Sequence, residues 1–165
     1  MHVAWLALGG NLGPVRASMD AAVHALSQRK DCRVMARSML YQTPPMGPAG
    51  QPDYLNAVIQ LTTSLSPLAL LDVLQAIELA QGRERNEHWG ARTLDLDILA
   101  VDDLVMHSER LILPHPYMAD RMFVLQPLCD LDASWCHPIL NKSARELRAL
   151  LRQNGVATLP EGIQW

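Results

Sequence analysis

Ten residues in the middle of the chain, Tyr54 to Thr63, alternate by polarity. Leu55, Ala57, Ile59 and Leu61 fall on one side, and Asn56, Gln60 and Thr62 on the other. A period of two sorts these sets onto opposite faces of an extended strand. Sheet-plus-helices is the general class that this predicts. The chain has 165 residues, 49% of them apolar, which suits a single domain spanning 1–165 with a sizeable core.

The rest of the chain supplies the other elements. Val3–Leu8 reads as a buried strand that runs into a loop, Gly9-Gly10-Asn11-Leu12-Gly13-Pro14. Helical spacing of Val15, Met19, Ala22, Val23 and Leu26 predicts a helix over Val15–Gln28. Arg33–Gln42 reads as a strand. Thr43 to Pro52 is dense in Pro and Gly and has the length of a functional loop. Ser66-Pro67 caps a helix running to about Ala80, with Gly82 as its stop signal. Residues 83–93 are a polar, Arg-rich loop. Leu94–Val101 is a strand, and Leu104-Val105-Met106 pairs nearby. After a loop through Pro114-His115-Pro116 come a short helix from Asp120 to about Leu128 and an amphipathic helix over Ser143–Gln153. The order β-α-β-β-α-β is the split β-α-β pattern. It predicts an α+β, ferredoxin-like antiparallel sheet with helices packed on one face and helical C-terminal extras.

Charge and motifs exclude several functions. The formal net charge is −3, so there is no basic coat for bulk nucleic acid and no acidic tail. Pro, Gly or charge interrupts every apolar run before it could span a membrane, and Met1-His2-Val3 lacks the features of a signal peptide. Cys32, Cys129 and Cys136 are an odd count without metal spacing. Free thiols in a reducing cytoplasm are the expectation. The glycines at 9, 10 and 13 lack the Lys of a P-loop, and read as a turn that lets backbone approach a ligand. No nucleophile elbow, Cys-x-x-Cys or His-Glu-x-x-His is present. An RNA-binding module on the same sheet needs a basic face with aromatics on adjacent strands, and eight aromatics in a negative chain argue against it.

The sharpest chemistry lies in Arg92-Thr93-Leu94-Asp95-Leu96-Asp97-Ile98. Asp95 and Asp97 are two apart on a strand, so they share a face, roughly 6.6 Å apart along it. Strand interiors disfavour Asp. The pair is either the solvated face of an edge strand or a site for hard cations, and Mg²⁺ typically takes one or two carboxylates plus water and phosphate oxygens. Arg83, Arg85, Arg92, Arg110, His115 and Arg121 flank the pair, and guanidinium groups grip phosphates in bidentate fashion. The five arginines among these six belong to a set of only 12, against two lysines, Lys30 and Lys142. Trp89 is a loop anchor or a stacking lid. Tyr54 and Asn56 share a strand face, which is either merely polar or suited to a heteroaromatic base. Phe123, the only Phe, reads as core packing. His107 reads as a surface residue.

Taken together, these stretches resemble the 6-hydroxymethyl-7,8-dihydropterin pyrophosphokinases of folate biosynthesis over about residues 3–130. The resemblance is carried by Leu8-Gly9-Gly10-Asn11-Leu12-Gly13, by Tyr41-Gln42-Thr43-Pro44-Pro45-Met46-Gly47-Pro48 and by Gln51-Pro52-Asp53-Tyr54-Leu55-Asn56-Ala57. Glu78, Gly82-Arg83-Glu84-Arg85, Trp89-Gly90-Ala91-Arg92-Thr93-Leu94-Asp95-Leu96-Asp97-Ile98, Leu113-Pro114-His115-Pro116 and Arg121-Met122-Phe123-Val124-Leu125 complete it. Three features depart from the pattern: Gly10 stands where Ser is expected, the loop between Arg85 and Trp89 is short at three residues, and Tyr117 stands where a basic residue is common.

The resemblance implies transfer of the pyrophosphoryl group of ATP to the pterin hydroxymethyl oxygen, leaving AMP. It implies two Mg²⁺ ions on Asp95 and Asp97, with Arg83 and Arg92 acting on the phosphates as catalytic residues. Gln75, Glu78, Arg85, Trp89, Ile98, Arg110, His115 and Arg121 would line the ATP site. The pterin would lie between Tyr54 and Phe123. Thr43, Pro45, Met46 and Asn56 would meet its edge, with Trp89 closing over it. The implied protein is a monomer acting on small molecules, with neither nucleic acid nor membrane as a partner.

Overall fold

The structure, a computed structural model, describes residues 1–11, 13–44, 50, 52–82 and 94–165. Its elements in chain order are β1 (His2–Gly10), α1 (Val15–Ser27), β2 (Cys32–Arg37), β3 (Tyr41–Thr43), β4 (Tyr54–Thr63), α2 (Pro67–Ala80), β5 (Asp95–Val101), β6 (Met106–His107), β7 (Ile112–Leu113), a 3₁₀ turn (Met118–Asp120), α3 (Met122–Asp132) and α4 (Ala144–Gln153). The main sheet runs β2-β4-β1-β5, with β3 also paired to β4, and every pairing is antiparallel. This is the ferredoxin-like order that the sequence predicts.

The central strand β1 explains the layering. Its even residues Ala4, Leu6 and Leu8 join Met19, Ala22 and Leu26 of α1 and Leu70 and Leu74 of α2 in one core. Its odd residue Trp5 joins Val58, Leu99 and Ala100 in a second core, closed by Val124 and Leu128 of α3 with Trp135 and Ala144. Helices therefore cover both faces, not one. The helical C-terminal extras are present, and they form the second layer. An apolar run such as Val3–Leu8, with no polar side, is the pattern of a strand buried on both faces.

Four other expectations shift. The predicted strand 33–42 is two strands, β2 and β3. At the break, Ser38 donates its N–H to the Val58 carbonyl (2.9 Å) while its Oγ accepts the Val58 N–H (2.9 Å). Leu40 pairs instead with Ile163 in the C-terminal tail. Met106 pairs with Leu113 in a separate two-stranded ribbon. The short helix starts at Met122, after the 3₁₀ turn, and runs to Asp132 with Pro127 inside it. Finally, β1 continues through Gly9 and Gly10, so the turn begins later, with Gly13 at φ +71°.

Local chemistry supports the helices where the sequence places them. Ser66 Oγ caps α2 by accepting the Ala69 N–H, and Gly82 after its end has φ +82°. Ser143 and Glu146 form a reciprocal capping box on α4. One irregularity reaches the functional end. Trp5 pairs with Ala100 but Leu6 pairs with Ile98, so Leu99 is an extra residue on β5, a β-bulge.

Candidate active site

The register of four strands builds the site. Tyr41 stands opposite Asn56, Asn56 opposite Gly9, and Gly9 opposite Asp95, a single row across β3, β4, β1 and β5. Residues paired across antiparallel strands share a face, so all four belong to the α3 side of the sheet. The next row inward on that face holds Val58, Ala7 and Asp97. Leu96 and Ile98 turn the other way, into the core under α1 and α2. The two carboxylates thus share one face, as their spacing predicts, and both are half-buried.

On the β4 side, Asn56 is 8% exposed and its Nδ2 donates to Thr43 Oγ1 (2.9 Å). Tyr54 pairs with Thr43 one row further out. Gly9 gives this floor its shape. A Cβ built there would sit 3.0 Å from Asn56 Oδ1 and 3.5 Å from the Leu55 carbonyl. The residue works as a close-approach glycine within the strand rather than as part of a turn. Asn11, also buried, donates to the Pro52 carbonyl (3.1 Å), joining the glycine segment to the residues before β4. On the outer side, Tyr41 Oη donates to Asp130 Oδ2 (2.7 Å) and fastens β3 to α3.

The start of α3 brings an aromatic and a cation to this end. Phe123 is 36% exposed and belongs to no core cluster, so the core-packing alternative fails. The Arg121 guanidinium lies 5.6 Å from the centroid of Phe123 and 5.4 Å from that of Tyr117. Tyr117 therefore offers Arg121 a ring rather than adding a further positive charge. His115 donates its N–H to the Leu99 carbonyl at the bulge (2.8 Å), and its Nδ1 accepts the Tyr117 N–H (3.1 Å). The neutral ring therefore keeps Nε2–H as its donor. Burial, and then the Arg121 guanidinium, push the His115 pKa below the usual 6.5, while Asp95 pulls the other way.

On the other side of β5 a cleft of about 390 Å³ opens between α2, β5 and residues 108–116. Gln75, Glu78, Asp95, Asp97, Arg110 and His115 all line it. Arg110 pairs with Asp72 (2.6 Å) and donates to Gln75 Oε1 (3.3 Å). Glu78 accepts the Leu96 N–H (2.8 Å). Ile98 borders the cleft, but its side chain is almost wholly in the core. His107 is exposed, as expected. Of the residues singled out by sequence, Asp95, Asp97, Gln75, Glu78, Ile98, Arg110 and His115 meet at the cleft, while Thr43, Tyr54 and Asn56 flank the sheet floor and Arg121 and Phe123 head α3. Pro45, Met46, Arg83, Arg85, Trp89 and Arg92 lie outside the described residues. Asn11 and Tyr41 stand in the quoted motifs but carry no assigned role there, and Asp130 stands in none. Asn11 alone left a signal, a polar residue among glycines.

The donor set around Asp95 and Asp97 suits a hard cation that brings its own oxygens. Among the described residues no group of three His, Cys, Asp or Glu side chains could hold a metal. Two carboxylates alone are the common protein share of a Mg²⁺ site, where water and phosphate complete the shell. No helix among the described residues is long and apolar enough to cross a membrane.

Comparison with known proteins converges on one family. The family model for 7,8-dihydro-6-hydroxymethylpterin-pyrophosphokinase matches residues 5–133. The 2-amino-4-hydroxy-6-hydroxymethyldihydropteridine pyrophosphokinase of Pseudomonas aeruginosa is 45% identical over 156 residues, covering 94% of this chain and 96% of that one. Its namesake from Haemophilus influenzae is 47% identical over 131 residues, covering 79% and 82%. Among solved structures, the Plasmodium falciparum HPPK-DHPS wild type with pteroate has a TM-score of 0.74 at 15% identity. That match covers 98% of this chain and 47% of the other, so this chain spans under half its length, and the likeness concerns the fold alone. With its residues 5–133 matched and with relatives 45% and 47% identical that it covers to 96% and 82% of their length, the chain belongs to the 7,8-dihydro-6-hydroxymethylpterin-pyrophosphokinase family.

Proposed function

We propose that the open end of the sheet is where the family's reaction takes place in this chain, with the pterin over Asn56 and Tyr54 and the ATP triphosphate over Asp95 and Asp97. The chain is a pyrophosphokinase of folate biosynthesis. It moves the pyrophosphoryl group of ATP to the hydroxymethyl oxygen of 6-hydroxymethyl-7,8-dihydropterin, leaving AMP. The observation that carries the assignment of the site is the row Asn56–Gly9–Asp95, which joins a heterocycle-binding edge to a charge-binding edge across one glycine.

Each side chain has a task that its chemistry allows. Tyr54 and Phe123 present faces for a flat ring. Asn56 and Thr43 offer a donor and acceptors to its edge. Asp95 and Asp97 would hold Mg²⁺, two ions by the family pattern. When bound, the metal neutralises charge on the transferring phosphates. Arg110, Arg121 and the His115 Nε2–H hold anionic oxygens, and by the family resemblance Arg83 and Arg92 act on the phosphates. No protein nucleophile is required, since positioning and charge stabilisation supply most of phosphoryl-type catalysis. The three hydrophobic clusters run from β1 to α4, which supports reading 1–165 as one domain. Free Cys32, Cys129 and Cys136 support a reducing compartment, and a cytoplasmic monomer is the simplest form of the enzyme.

A coupled assay for AMP with hydroxymethyl dihydropterin and ATP, with Mg²⁺ titrated from zero, tests the proposal. AMP formation that needs both the pterin and Mg²⁺ is expected. AMP formation at full rate without added metal would undo the assignment of the aspartates. Truncating Arg92 should lower turnover more than pterin affinity, by about 10²–10³-fold in kcat.

A further inference from the structure

Among the described residues Glu78 is the only buried carboxylate, at 4% exposure. Removing such a group from water is costly unless hydrogen bonds replace the water. One replacement is unusual: Oε2 accepts the backbone N–H of Leu96 at 2.8 Å. Leu96 is the residue between Asp95 and Asp97. Its strand, β5, is the outermost of the sheet, with β1 as its only neighbour among the described residues. Backbone N–H groups in an antiparallel strand point alternately to the two sides. The Leu96 N–H turns outward to Glu78, so those of Asp95 and Asp97 turn inward to β1. The Leu96 side chain is in turn locked in the core beside α2.

We propose that Glu78 is a positioning residue for the paired aspartates: it clamps the backbone of Leu96 from α2 and thereby fixes the spacing and aim of Asp95 and Asp97. The proposal rests on reading those aspartates as the carboxylates of the reaction. An unclamped edge strand opens locally, and two carboxylates carried on it lose the fixed geometry that a shared cation needs. Glu78 thus serves the reaction through β5, whereas the mutually hydrogen-bonded Gln75 and Arg110 are exposed side chains on the cleft border, where a ligand can meet them directly.

Hydrogen exchange on the ligand-free protein, without metal, reads the clamp directly. The Leu96 amide should exchange slowly in the natural chain, although among the described residues no strand lies on the side of β5 to which it points. In Glu78→Leu its exchange should quicken by about tenfold or more, and in Glu78→Gln, which keeps an acceptor, most of the protection should return. Kinetically, Glu78→Leu should lower kcat by about 10–100-fold and raise the Mg²⁺ concentration for half-maximal AMP formation. Its KM for ATP should stay within about threefold. Fast exchange of Leu96 in the natural chain overturns the clamp, as does a raised ATP KM with unchanged kcat, which would make Glu78 a nucleotide contact. If Glu78→Leu does not fold, exchange in the natural chain and in Glu78→Gln still decides. Full activity of Asp97→Ala would overturn the premise while Leu96 protection persists, so failure of the reading and failure of the clamp are told apart.

Discussion

One face of the sheet behaves in two ways along its length. At the covered half, Trp5, Val58, Leu99 and Ala100 pack under α3 and the residues that follow it. At the open half the same strands present Gly9, Asn56, Asp95 and Asp97. Along β1 the odd side chains taper from Trp5 through Ala7 to Gly9. Where the helical layer ends, bulk gives way to an absent side chain, and apolar gives way to carboxylate and amide. The two halves share a backbone but not an energetic purpose. The first contributes burial, on the order of 25 cal/mol per Å² of apolar surface. The second keeps polar groups partly desolvated and aimed, which strengthens whatever charge they meet.

Four measurements test this contrast. The largest effect is expected at the open half: Asp97→Ala should cut AMP formation by about 10²–10³-fold or more with little change in melting temperature. At the covered half the balance reverses. Trp5→Ala should cost about 3–5 kcal/mol of stability by urea unfolding, and a loss under about 1 kcal/mol would mean that the second layer is not packed on the sheet. Gly9→Ala tests the boundary. Its methyl would displace the Asn56 amide, so calorimetry should find pterin affinity weakened by about tenfold, or ~1.4 kcal/mol. An unchanged affinity would detach Asn56 from the pterin.

The smallest effect concerns pH. His115 has a depressed pKa, so the folded chain binds fewer protons than the unfolded chain once pH falls through 6.5. Stability is then lost as pH falls through that window and is regained above it. His137, depressed by burial, adds the same sign. His115→Asn, which keeps an acceptor for the Tyr117 N–H, should flatten the slope by the His115 share alone. An unchanged slope would show that His115 is no more buried from charge than in the unfolded chain.

Much of this was legible in the sequence. The alternating stretch Tyr54–Thr63 has the same bounds as β4, and Ser66-Pro67 and Gly82 bracket α2 as their chemistry demands. The shared face of Asp95 and Asp97 follows from spacing alone. What was not legible involves partners distant along the chain. The Leu96 N–H finds Glu78 18 residues away, and Asn11 reaches across 41 residues to Pro52. Locally, each is only a polar residue in a helix or loop. The second helical layer left a trace in the apolar run Val3–Leu8. A strand hydrophobic on both sides announces two cores, but not which segments will close them. Phe123 misleads for a related reason, since an isolated Phe in an apolar helix looks like core until the layer is seen to stop short of it.

The bulge at Leu99 has a consequence for how the chain tolerates insertion and deletion. A strand has a two-residue reading frame, and one residue added or lost exchanges its faces. Leu99, however, is the residue that the pairing already skips, since Ile98 opposes Leu6 and Ala100 opposes Trp5. Deleting it would leave both sets of pairings in phase, with Leu96 and Ile98 still in the core and Asp95 and Asp97 still on their present face. The cost would be local: the buried Leu99 side chain and the carbonyl that anchors the His115 amide. Deleting a paired residue of β5 should therefore harm the site more than deleting Leu99, because only the former exchanges the faces beyond it.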